Sequence, residues 1–155
     1  MTAEEMNVYK MRISQAGVGE LNVIMLEMEI QWIKEGLEAF KAGDVDTFIS
    51  SIEKAQGTQV ELMNVLNLDN PVSKDVYSVY VYFNKQLINA KLKREPLDLE
   101  RIVEMLKQYH ESFSSIADTD SQGPVMEQSE KVYAGLTYGS GGLVENSVGG
   151  TEYKV

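Results

Sequence analysis

Val76-Tyr77-Ser78-Val79-Tyr80-Val81-Tyr82-Phe83 is the stretch on which the fold turns, because it admits two readings. Its β-branched and aromatic residues have the composition of a strand. Its surroundings argue for a helix. Asn70-Pro71 is a helix start, since proline at the first helical position gives up an N–H that would be unpaired there anyway. No turn signal follows before Arg94, and Val72, Val76, Val79, Tyr80, Phe83, Leu87 and Ala90 recur at spacings of three and four. Position along a face outweighs propensity here, and one long helix is predicted.

The same periodicity extends outward in both directions. Upstream, Val23, Leu26, Ile30, Ile33, Leu37 and Phe40 form a packing seam, and Leu21, Met25, Met28 and Trp32 form a second stripe beside it. That helix should therefore touch more than one neighbour. Gly43 stops it, and Asp44 can cap the next helix, where Val45, Phe48, Ile52, Ala55, Leu62 and Leu66 continue the pattern with Gln59 as a polar intruder. Residues 67–70 read as a short turn. Downstream, Pro96 and Asp98 open a helix with Leu99, Ile102, Leu106, Tyr109, Phe113 and Ile116 on its seam. Helices of about 20 residues, each roughly 30 Å long, joined by short connections should pack as antiparallel neighbours. The expected fold is all-α: an antiparallel up-down four-helix bundle with a flexible N-terminal segment and a Gly-rich C-terminal tail. Seven of the 12 glycines follow residue 117, which divides the chain into a body, 1–117, and a flexible or partly helical tail, 118–155.

Composition removes whole classes of function. The 155 residues carry 14 basic and 24 acidic side chains, a formal charge of -10 that would repel a phosphate backbone, so no nucleic acid partner is expected. With no cysteine there is no disulfide framework, thiol nucleophile or Cys-ligated metal. No apolar run is long enough to span a bilayer, and Thr2, Ala3, Glu4 and Glu5 do not resemble a signal peptide, so neither membrane insertion nor secretion is expected. A di-metal bundle site needs several histidines, whereas His110 is the only one and Lys107 stands three residues before it. Asp118, Asp120 and Gly123 imitate the start of a calcium loop, but Gln122 and Ser129 occupy positions that need carboxylates. Neither Gly17-Val18-Gly19 nor Gly139-Ser140-Gly141 has the strand-turn-helix setting of a phosphate loop. The residues therefore point to no catalytic, cofactor-binding or metal site. Glu27, Glu29, Glu35 and Glu38 read as a solvated helix face. The methionines at 6, 11, 25, 28, 63 and 105 suit either an irregular core or a surface that adapts to a partner.

Certain residues, in their order and spacing, resemble the flagellar secretion chaperone FliS family over 9–117. They are Gly19-Glu20-Leu21 opening a helix through Met25-Leu26 to Ile33-Lys34, Leu62 and Leu66 before a short turn, and Val79-Tyr80-Val81-Tyr82 with Leu87 and Ala90. Glu27-Met28 stands where the family usually has Tyr-Asp, Lys91 where an Asn usually follows the Ala, and Phe113 where a Trp is common. The resemblance implies a cytoplasmic bacterial chaperone, not an enzyme, that binds the disordered C-terminal segment of flagellin and prevents its premature polymerisation before export. Ordering a segment of ~35 residues costs about 1 kcal/mol or more per residue. At ~25 cal/mol per Å² this requires well over ~1,000 Å² of apolar contact, which extended grooves can provide.

Apolar residues in excess of the seams supply a candidate partner-binding groove: Ile49, Val60 and Met63 on the second long helix, Tyr77, Val81 and Ile88 on the third, and Val103 on the fourth. The resemblance also implies an N-terminal lid, 1–17, in which Tyr9 matches the family's Tyr, with Val8 and Ile13 as apolar neighbours. Short apolar clusters in the tail, Val132-Tyr133 and Leu143-Val144 among them, suggest a second internal occupant of the groove. The alternative is an acidic helical adaptor that binds an anti-sigma factor or an export component through the same apolar faces.

Overall fold

The structure is a computed structural model that describes residues 1–119 and, beyond them, two paired two-residue strands, β1 (Ser147–Val148) and β2 (Thr151–Glu152). Five helices make up the first of these: α1 (Ala3–Gln15), α2 (Val18–Lys41), α3 (Val45–Asn64), α4 (Pro71–Lys93) and α5 (Leu99–Thr119). The expectations about the Gly-rich tail fall outside the described residues.

The ambiguous octapeptide lies wholly within α4, a helix of 23 residues. Its start is local chemistry: Asn70 Oδ1 accepts the Val72 N–H at 2.8 Å and Pro71 takes the first turn. One face then decides the matter, because Tyr80, Phe83, Leu87 and Ala90 are fully buried, at the three-and-four spacing of a helix rather than the alternation of a strand. The chain leaves α4 through Arg94 in the left-handed region, φ 58°. The connection between α2 and α3 follows the same logic. Gly43 adopts φ +84°, which a side chain would strain, and Asp44 Oδ1 accepts the Thr47 N–H at 3.0 Å to start α3.

α2 organises the packing. It lies against α3 along one side and α5 along another, while α3 also carries α4. Leu26, Ile33, Phe48, Ile52, Leu62, Ile102 and Leu106 are fully buried in a continuous core. Gly36 lets α2 and α3 approach closely, since a Cβ there would meet Ile52 Cδ1 at 3.1 Å. Between α4 and α5 the contact is aromatic, with the Tyr109 ring 6.0 Å from Tyr80 and 6.1 Å from Phe83.

Two expectations are corrected. The N-terminal segment, expected to be flexible, is a helix of 13 residues capped by Thr2, whose hydroxyl accepts the Glu5 N–H. Glu29, read as part of a solvated face, is fully buried. Successive residues turn by about 100°, so Glu29 points roughly 200° away from Glu27 and into the core rather than beside it.

Neither Glu29 oxygen makes a hydrogen bond among the described residues, and the same holds for the Gln59 amide and the Tyr80 hydroxyl. Three helices thus place polar atoms inside an apolar core. Burial drives the Glu29 carboxyl well above its ordinary range. A carboxyl whose folded value is raised penalises the fold only once pH passes its unfolded value, and the penalty grows as pH rises toward the folded value. Stability should therefore fall between pH 5 and pH 8, and Glu29→Gln should flatten that slope. Glu29→Leu should add about 1–3 kcal/mol at pH 8. Urea titrations of the three proteins at both pH values measure this; equal slopes in wild type and Glu29→Gln would refute it.

Candidate partner-binding site

None of the residues of α1 is buried, and its composition is mostly polar. A 13-residue helix is marginal in water, so its position depends on what fastens it to the body. Apolar contact is one such fastening, with Met6 packed against the core, and ion pairs are the other. Arg12 grips Glu27 of α2 with two parallel bonds, Nη1 to Oε1 at 2.7 Å and Nη2 to Oε2 at 3.1 Å, and its Nη2 lies 3.7 Å from Glu20. The guanidinium also sits 5.7 Å from the centre of the Tyr9 ring. At the other end of α1 the N-terminal ammonium meets Glu35. His110 of α5 completes the arrangement, its Nε2 3.1 Å from Glu27 Oε2.

Glu27 is therefore a half-buried carboxylate shared by three helices. Burial alone would raise its pKa, but the hydrogen bonds and charges of Arg12 and His110 outweigh that and hold it below its ordinary range.

Beside this clamp an apolar cleft of about 640 Å³ opens between α1, α2 and α3. Met6 and Ile13 line it from α1, Leu21, Met25, Met28 and Trp32 from α2, and Val65 from just past the end of α3, with Lys54 and Glu61 at its edge. The second stripe of α2 thus forms one wall, and three of the six singled-out methionines face the same space. Lys54 Nζ stands 4.7 Å from the centre of the Trp32 ring. A second cleft of about 570 Å³ runs between α2 and α5, with Leu37 and Val103 between charged walls that include Lys34, Lys41, Arg101 and Lys107.

The groove residues expected from sequence are spread over several surfaces. Ile49 and Met63 are half-buried against the core, and Tyr77 and Ile88 are half-buried on α4. Val60 and Val81 are exposed, at 39% and 37%. Val103 is corrected from an outward position to a core one, only 4% exposed, because α5 turns that side toward α2, and it reaches only the floor of the second cleft. None of the seven lines the cleft beneath α1. Of the lid residues, Ile13 faces that cleft, Tyr9 lies under Arg12, and Val8 is exposed. The clamp through Glu27 was missed, since its partners lie 15 and 83 residues away and no periodicity connects them.

Among the described residues no group of three or more His, Asp or Glu side chains gathers as a metal site, and no helix is long and apolar enough to cross a membrane. What the surface does present is an apolar cleft beneath a helix with no buried residue, on an all-helical body. Comparison with known families agrees: the chain matches the family described as flagellar protein FliS over residues 2–120, and it belongs to that family. Membership implies a flagellar export-chaperone role. No curated protein matched the chain.

An open apolar cleft of this kind should bind a solvatochromic dye such as ANS. Met28→Gln, on its wall, should cut the fluorescence enhancement by roughly half while far-UV helicity is unchanged. An unaltered enhancement would place the dye elsewhere and count against an accessible cleft.

Proposed function

We propose that this protein is a cytoplasmic export chaperone that holds the disordered C-terminal segment of bacterial flagellin in apolar grooves and so prevents polymerisation before secretion. The four long helices form an antiparallel up-down bundle over 1–117 in this reading, and the client lays amphipathic segments along its outside. The observation that carries it is the cleft between α1, α2 and α3, roofed by a helix with no buried residue, in a chain of the FliS family. Exchanging one helix for another on such a face costs little more than the ordering of the incoming chain. Val8, Tyr9 and Ile13 belong to the displaceable lid. Ile49, Val60, Met63, Tyr77, Val81 and Ile88 extend the apolar surface across α3 and α4, and Val103 contributes through the α2–α5 cleft. No chemistry is assigned to any of them; the protein acts by binding, not by catalysis.

Calorimetry with a flagellin C-terminal segment, and with one truncated at that end, tests the client. Binding of the first and loss of binding with the second is the expected result. Equal binding of both, or of neither, would overturn the reading, and in that case an anti-sigma factor or export component becomes the partner to try. For the lid, the double change Tyr9→Ala, Ile13→Ala should tighten client binding roughly threefold to tenfold, because a weaker internal competitor is easier to displace. Far-UV helicity of the body should be retained.

A further inference from the structure

Three carboxylates on α2, those of Glu20, Glu27 and Glu35, recur at spacings of seven and eight residues, so they lie along one face about two turns apart. Glu20 and Glu27 meet Arg12 of α1, and Glu35 meets the ammonium of Met1, two residues before α1 begins. Beside this acidic line the same helix contributes apolar surface to the cleft, into which α1 sends Met6 and Ile13, seven residues apart. The complement that α1 presents is thus a helix with apolar residues two turns apart and a cation one residue before the second of them.

We propose that this face of α2 is a docking face for a helix that carries Arg or Lys beside its apolar residues, and that Arg12 stands in for the cation which a displacing segment must bring. The inference rests on the reading of α1 as displaceable, and it specifies what displaces it. The physical reason lies at Glu27. This carboxylate is half-buried, and without α1 its remaining partner among the described residues is His110. A purely apolar helix seated there would remove more water from an underpaired charge, whereas a helix carrying Arg or Lys restores the pair.

The test uses the full chain carrying Arg12→Gln, whose own α1 is loosened, and synthetic peptides of residues 1–16 as the probe. First, hydrogen exchange should show α1 amides exchanging about tenfold faster in Arg12→Gln than in wild type, with α2 to α5 unchanged. Second, the unaltered peptide should bind the Arg12→Gln protein about tenfold more tightly than the peptide carrying Arg12→Gln, and added salt should narrow the gap. Third, Glu27→Gln in the protein should abolish the difference. Equal affinities of the two peptides, absence of binding by either, or unchanged α1 exchange would each overturn the proposal. Should Glu27→Gln disturb folding, the comparison of peptides on a protein with Glu27 intact still decides. No flagellin enters these measurements, so their failure is separable from failure of the chaperone reading.

Discussion

α2 has more apolar surface than any one neighbour can cover, and the rest of the molecule is arranged around that excess. Val23, Leu26, Ile33 and Leu37 are buried in the core, while Leu21, Met25, Met28 and Trp32 continue the apolar surface round to another side. At ~25 cal/mol per Å², leaving such a stripe to water is unfavourable by kilocalories. α3 and α5 take two sides of the helix; the third is left partly covered by α1. The cleft is what remains when a short polar helix is asked to close a long apolar face.

Two kinds of adhesion result, and they respond to different conditions. The body from α2 to α5 is held mainly by apolar burial, including fully buried Phe48, Tyr80 and Phe83, which salt hardly weakens. α1 and the Met1 ammonium before it are fastened in part by charged pairs with Glu20, Glu27 and Glu35, which are partly exposed to solvent and are screened by ions. Inside the body, the polar atoms of Glu29, Gln59 and Tyr80 work against the apolar majority. Burial also raises the Tyr80 hydroxyl, with Glu29 and Tyr109 adding to the effect.

Much of this was legible in the chain. Spacing assigned α4 correctly against its strand-like composition, and Asp44, Asn70 and Gly43 marked helix ends because capping is a local interaction among neighbours in sequence. The doubled stripe on α2 already signalled extra neighbours. What escaped has a common cause. Glu27, Glu29, Glu35 and Glu38 were grouped by type, although the helical turn sends Glu29 inward and leaves Glu38 exposed. α1 has little amphipathic signal, so its helicity came from Thr2 and from docking. The ion cluster joins residues on three helices, and Val103 is buried beside Ile102 because α5 meets neighbours on more than one side. Such facts belong to tertiary placement, which periodicity does not encode.

The chain contains a single tryptophan, and the fold puts it on the wall of the cleft beneath a lysine ammonium. An indole excited state is sensitive to nearby charge and to water, so the emission of Trp32 registers whatever enters or leaves that space. The protein is in this sense self-labelled. Occupancy of the surface that matters most can be followed optically, in real time and without an attached fluorophore.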